Sequence, residues 1–222
     1  MKIFELLTDE FQHHANPAIA EQQKAYMRNQ FEFYGIKSTL RKEIQKPFLS
    51  AKALPPKSEL ETIVQLIWQQ PQRECQYVAQ EFVNKYVKHT AIKDIELYEY
   101  MVTHKSWWDT VDFIANNLMG RYFKLHPELR QAYVDKWLKS NNIWLQRCAI
   151  LFQLKYKDDL DTALLAYSIN SLLGSKEFFI NKAIGWALRE YSKTNPTWVS
   201  KFVTETDLSH LSQKEALRLI LK

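Results

Sequence analysis

Two tryptophans and two aspartates crowd the segment KSWWDTVD, residues 105–112. In a helix, Trp108 and Asp112 stand four residues apart and project from one face, whereas Trp107 and Asp109 point elsewhere. Turning Trp108 into a core would carry the Asp112 carboxylate with it, at a cost of several kcal/mol unless the charge found partners. Exposing both along a groove costs less. Taken alone, the pair also fits an amphipathic tryptophan at a rim beside a solvated aspartate. Two later segments add weight: NNIWLQRCAI (141–150) sets Trp144 and Arg147 three residues apart, and KAIGWALREY (182–191) does the same with Trp186 and Arg189. Trp108 to Arg147 is 39 residues, and Arg147 to Trp186 is another 39. Arginine is rarely fully buried, so tryptophan beside arginine, repeated, is unusual for a plain core.

The chemistry open to such a set is narrow. A guanidinium suits a phosphate oxygen, bidentately where geometry permits. Indole faces suit a cation or the C–H edges of a sugar. A carboxylate stabilises a developing oxocarbenium ion or orients a water toward it. Together these groups indicate cleavage of an N-glycosidic bond in a nucleic acid.

The elements that must position these residues are helical. Apolar residues recur at steps of three and four almost throughout, and hardly any window alternates as a strand does. Breaks fall at HHANPA (13–18), ALPPKS (53–58), QQPQR (69–73), LHPEL (125–129) and KTNPT (193–197). Asn16 before Pro17 and Asn195 before Pro196 place a capping side chain ahead of a proline at the first helical position. SELE (58–61) has the form of a capping box. Ten to fourteen helices of three to four turns are expected. Ala149, Ile150 and Leu154 recur as Ala183, Ile184 and Leu188 after 34 residues, and as Ala216, Leu217 and Leu221 after 33 more. That period belongs to helical-pair solenoids, in which each unit buries its apolar face against its neighbours. An all-α solenoid with a concave face for a long partner is predicted over a single domain, 1–222; an irregular helical bundle is the alternative.

Bulk properties narrow the class further. Hydrophobic residues make up 46% and charged residues 25%, as in ordinary soluble proteins. With four glycines in 222 residues, a phosphate-cradling glycine loop is not expected, and no GxxxxGK[ST] occurs, which excludes a P-loop ATPase. The formal charge of +5 permits attraction to a polyanion without proving it. Cys75 and Cys148 lack zinc spacing and are expected as buried reduced thiols, and the six histidines form no ligand pattern, so no metal is predicted. No stretch approaches a membrane span, and the N-terminal residues lack a secretory pattern; a cytoplasmic protein is expected.

AYMRNQFEFYGI (25–36), KSWWDTVD (105–112), NNIWLQRCAILFQLKYK (141–157) and SKEFFINKAIGWALREYSKTNP (175–196) closely resemble the AlkD-type bacterial DNA alkylation repair glycosylases, and the likeness runs over nearly the whole chain. The resemblance implies HEAT-like repeats around a basic groove holding duplex DNA, and excision of cationic alkylated purines, 3-methyladenine and 7-methylguanine, without metal or organic cofactor. It implies that Trp108 and Asp112 are the active-site pair, joined by Trp186, with Arg147, Arg189 and Tyr26 as DNA-binding residues. It further implies that the lesion stays stacked, in contrast to base-flipping glycosylases.

An alkylated purine already carries positive charge and leaves as a neutral base, so one carboxylate suffices where ordinary glycosidases use two. Asp112 is expected to stabilise the cationic sugar and position water, Trp108 and Trp186 to pack on the deoxyribose, and Arg147 and Arg189 to hold phosphates. Lys105 and Lys182 are candidate phosphate contacts, although a solvated helix surface explains either equally well. Trp107 is expected to pack as scaffold and Asp109 to be solvated. The expected partner is duplex DNA containing alkylated purines, bound by a monomer. The competing reading is a non-catalytic HEAT-like scaffold that binds DNA or protein.

Overall fold

The computed structural model describes residues 2–221. Among them are fourteen α-helices joined by short 3-10 turns, and extended pairing is confined to an isolated bridge between Glu32 and Gln72. The all-α, solenoid-like fold is thus the one predicted from periodicity. None of the described helices is long and apolar enough to cross a membrane. The chain divides into two compact units, Met1–His89 and Thr90–Lys222.

The first unit contains α1 (Lys2–His13), α2 (Pro17–Tyr26), α3 (Ser38–Gln45), α4 (Leu60–Trp68) and α5 (Arg73–Tyr86). Asn16 caps α2 as its sequence predicts, accepting from the Ile19 N–H at 3.2 Å. The SELE capping box does not form. Residues Lys57–Glu59 wind into a 3-10 turn, α4 starts only at Leu60, and neither element has a side-chain cap. Phe11, Val64, Trp68, Val78 and Ala79 are fully buried. The connection from α2 to α3 is fastened to α5 by the buried Glu74, whose carboxylate accepts the backbone N–H groups of Tyr34, Gly35 and Ile36 at 3.0–3.1 Å. Gly35 is required there: its φ is +87°, and a Cβ would lie 2.0 Å from the Asn16 carbonyl oxygen.

The second unit runs through α6 (Asp94–Thr103), α7 (Trp108–Phe113), a π-helical segment (Ile114–Met119), α8 (Gly120–Leu125), α9 (Arg130–Leu138), α10 (Ile143–Leu151), α11 (Thr162–Asn170), α12 (Phe178–Tyr191), α13 (Pro196–Glu205) and α14 (His210–Ala216). One row is formed by α7 with its π segment, α10, α12 and α14, each packed on the next. The intervening helices lie against that row, α9 on α10 and α13 on both α12 and α14. Of the repeated residues, Ala149 and Ile150, Ala183 and Ile184, and Ala216 are all buried. The third copy decays at its end, since Leu221 is 78% exposed instead of lying in the core as the repeat predicts. Asn195 caps α13, accepting from the Trp198 N–H at 2.9 Å.

Candidate active site

Three of the row helices meet at one ion pair. Asp112 projects from α7, and its carboxylate takes two hydrogen bonds from Arg147 of α10: Nε to Oδ1 at 2.7 Å and Nη2 to Oδ2 at 2.9 Å. Arg147 Nη1 donates to the Phe179 carbonyl oxygen near the start of α12 at 2.5 Å. The side chains of Arg147 and Asp112 are only 4% and 15% exposed. Burial pushes the Asp112 carboxyl above the ordinary aspartate range, while the Arg147 guanidinium opposes the shift and Asp109 adds a smaller upward push. Because both oxygens accept from one guanidinium fork, the geometry holds the carboxylate form.

Local structure aims Asp112 in two ways. Upstream, Lys105 turns the chain out of α6 with φ +49°, a left-handed conformation costly for a side-chain-bearing residue. Asn141 does the same ahead of α10 with φ +55°. Downstream, the helix widens into the π segment immediately after α7; such widening is frequent at functional sites. There Asn116 Nδ2 donates to the Asp112 carbonyl oxygen at 2.7 Å, and Asn117 Nδ2 to that of Phe113 at 2.9 Å. Trp108 opens α7 and is half-buried, one helical turn before Asp112 on the same face.

Beside the ion pair lies an aromatic cluster. Trp107 packs edge-on against Phe179, with ring centroids 5.2 Å apart, and tilts against Trp144 at 5.8 Å; Trp144 meets Phe179 at 4.9 Å. Phe179 thus fixes the site twice, its carbonyl holding Arg147 and its ring holding both tryptophans. Trp107 packs as expected. Asp109, expected to be solvated, is half-buried.

A second charged cluster sits where α12 meets α14. Lys182, Trp186 and Arg189 follow one another at steps of four and three along α12 and so share a face. Glu215 of α14 accepts from Lys182 Nζ at 2.6 Å with one oxygen and from Arg189 Nη1 with the other. Gly185 permits this approach, for a Cβ there would come within 2.5 Å of the Glu215 Cβ. The Lys182 ammonium holds the Glu215 carboxyl below its ordinary range. Trp186 is half-buried between the two cations in sequence.

Of the residues singled out from sequence, Asp112 and Arg147 are in direct contact, and Lys182 and Arg189 share the Glu215 carboxylate. Arg147 is 3% exposed and engaged by Asp112 and Phe179, a different setting from the phosphate-facing one expected of it. Lys105 is half-buried in the turn before α7. Tyr26 ends α2 in the first unit and is 71% exposed. Sequence reasoning missed Phe179 and Glu215. Glu215 was within reach, because the shift that aligns Ala183 with Ala216 also aligns Lys182 with Glu215, 33 residues apart. Among the described residues no group of three or more His, Cys, Asp or Glu side chains is placed to hold a metal ion.

Residues 7–220 match the family described as DNA alkylation repair enzyme, and the chain belongs to that family. A solved structure from Enterococcus faecalis, described as a predicted DNA alkylation repair enzyme, is similar at 34% identity with a TM-score of 0.88, covering 94% of this chain and 97% of that one. No curated protein matches. The family assigns the chain an enzymatic role in DNA repair.

Proposed function

We propose that this chain is a monofunctional alkylpurine DNA N-glycosylase that hydrolyses the N-glycosidic bond of cationic 3-methyladenine and 7-methylguanine in duplex DNA, as a monomer and without flipping the base. The observation that carries the reading is the Asp112 carboxylate, buried, held bidentately by Arg147 and sharing a helix face with Trp108. In the reaction the bond between purine N9 and sugar C1′ breaks, and its electron pair stays with the purine and cancels the alkylation charge. No general acid is needed. Asp112 faces the positive charge left at C1′ and orients a water to it; the water adds its oxygen and releases a proton, leaving an abasic site.

Arg147 acts on this step through Asp112, as a positioning residue. It fixes both carboxylate oxygens and keeps the carboxylate ionised against the pull of burial. Trp108 and Trp186 supply indole faces to the deoxyribose, which favour its positive charge. Lys105, Lys182, Arg189 and Tyr26 contact the DNA strands, and the stacked pairs of the second unit serve as HEAT-like repeats. Because the base stays stacked in this reading, only leaving groups already activated by charge are substrates, so uracil is not excised. The test is release of 7-methylguanine from alkylated duplex DNA. Asp112→Asn should abolish release while largely preserving binding to duplex DNA. Wild-type protein releasing no methylated base above the spontaneous rate would leave only a DNA-binding scaffold.

A further inference from the structure

Val111, Ala115, Met119 and Phe123 are each 0% exposed and stand four residues apart. In a straight α-helix a step of four overshoots one turn by about 40°, so three steps would swing this buried line by about 120°. The π segment Ile114–Met119 takes up part of the excess, because its hydrogen bonds reach five residues back instead of four. Two side-chain donors at consecutive positions accompany the widening. Asn116 Nδ2 donates to the Asp112 carbonyl oxygen at 2.7 Å, and Asn117 Nδ2 to that of Phe113 at 2.9 Å. Each is the carbonyl four residues back, the one that the residue's own backbone N–H takes in an α-helix. A side chain placed there competes with α geometry and bends the helix.

The far end of the segment is anchored to the chain that follows α10. A Cβ on Gly120 would lie 2.6 Å from the Phe152 carbonyl oxygen, and Tyr156 Oη donates to the Gly120 carbonyl oxygen at 2.5 Å. Lys155 Nζ donates to Asn117 Oδ1 at 2.9 Å, so the same stretch also holds the turn in its middle. With Gly120 fixed, a relapse to α geometry would turn the other end, the six-residue α7 that carries Asp112. Losing the width of one residue rotates α7 by about 100°, which takes Asp112 off the Arg147 fork. We propose that Asn116 and Asn117 are positioning residues for Asp112, holding the π turn at the rotation that brings its carboxylate to Arg147. Their part in excision rests on the glycosylase reading; their hold on the Asp112–Arg147 pair does not.

The test compares two double variants of the full chain. Asn116→Leu with Asn117→Leu keeps the volume, favours the α-helix and removes both donors. Asn116→Ser with Asn117→Ser retains a hydroxyl able to donate to the carbonyl four residues back. Hydrogen exchange of the Arg147 Nε–H, followed by NMR without DNA, should quicken at least about tenfold in the leucine variant while buried backbone amides of α12 and α14 keep their protection. It should return toward wild type in the serine variant. On alkylated duplex DNA the leucine variant should lose at least about tenfold in the rate constant for 7-methylguanine release without a matching loss of affinity, and serine should restore the rate. Unchanged Arg147 exchange in the leucine variant, or no restoration by serine, overturns the proposal. Equal quickening throughout the second unit overturns it as well, since that is a loss of stability and not of position. If wild-type protein releases no methylated base, the glycosylase reading falls, and the exchange result still decides the positioning.

Discussion

Asp112 and Glu215 are both carboxylates answered by arginine across neighbouring row helices, yet they are built to opposite ends. The Asp112–Arg147 pair is sunk between α7, α10 and α12, with side chains 15% and 4% exposed. The Glu215 carboxylate is itself only 13% exposed, but its cations stand nearer the surface, with Arg189 23% and Lys182 40% exposed. Burial raises the Asp112 carboxyl despite its partner, whereas the Lys182 and Arg189 charges lower that of Glu215. The same pairing of groups is therefore held by one inward-facing guanidinium in one place and by two more exposed cations in the other. The two carboxylate side chains are about equally exposed, so the partners set the difference: one buried arginine answers Asp112, whereas the charges of Lys182, Arg189 and Arg218 answer Glu215.

The largest expected effect comes from breaking the deep pair. Arg147→Ala leaves a buried carboxylate uncompensated and should cost about 3–5 kcal/mol of stability, read by urea denaturation. Arg147→Lys keeps a charge but not the fork. It should retain most of the stability while lowering the excision rate constant more than DNA affinity, since Lys cannot hold both oxygens. An equal loss in rate and affinity would instead mean that Arg147 meets a phosphate directly.

pH separates the two clusters by sign. Asp112 has a raised value in the folded state, so its contribution to stability is present below the unfolded value of about 3.9 and is lost as pH rises through the folded one. Glu215 is lowered, so its contribution is present above about 4.3 and is lost as pH falls through its folded value. Stability–pH curves of Asp112→Asn and Glu215→Gln, each compared with wild type, should therefore diverge in opposite directions. The excision rate should also fall on acidification at a pH above the ordinary aspartate value, as Asp112 takes up its proton.

The smallest effect is expected at the Glu215 cluster. Glu215→Gln should change stability by no more than about 1 kcal/mol, as for other solvent-screened pairs. Two cations are then freed for phosphates, so duplex DNA should bind more tightly. The slope of log affinity against log salt should steepen by up to about 2, one unit per added phosphate contact. Weaker binding would show that Glu215 positions Lys182 and Arg189 rather than competing for them.

Much of this was legible along the chain. Asn16–Pro17 and Asn195–Pro196 start α2 and α13 because a cap and a proline act on adjacent backbone, with no need of the rest of the fold. SELE failed because a capping box requires its serine to stand just outside the helix. Here Ser58 lies inside a 3-10 turn that follows two prolines. Trp108 and Asp112 shared a face as soon as α7 was helical, since four residues nearly complete a turn. The spacing of 39 residues could not say which way Arg147 points. Its burial depends on how α10 sits between α7 and α12.

By itself the sequence determined the helices, the stacking period near 33 residues and the face shared by Trp108 and Asp112, because helical geometry is local and repeats at a fixed angle per residue. Tertiary structure alone decided which charges meet: Arg147 turned inward to Asp112 and the Phe179 carbonyl, and Glu215 closed over Lys182 and Arg189. Ion pairing depends on separations of a few ångströms and on the depth of water around them, and neither is fixed until neighbouring helices pack.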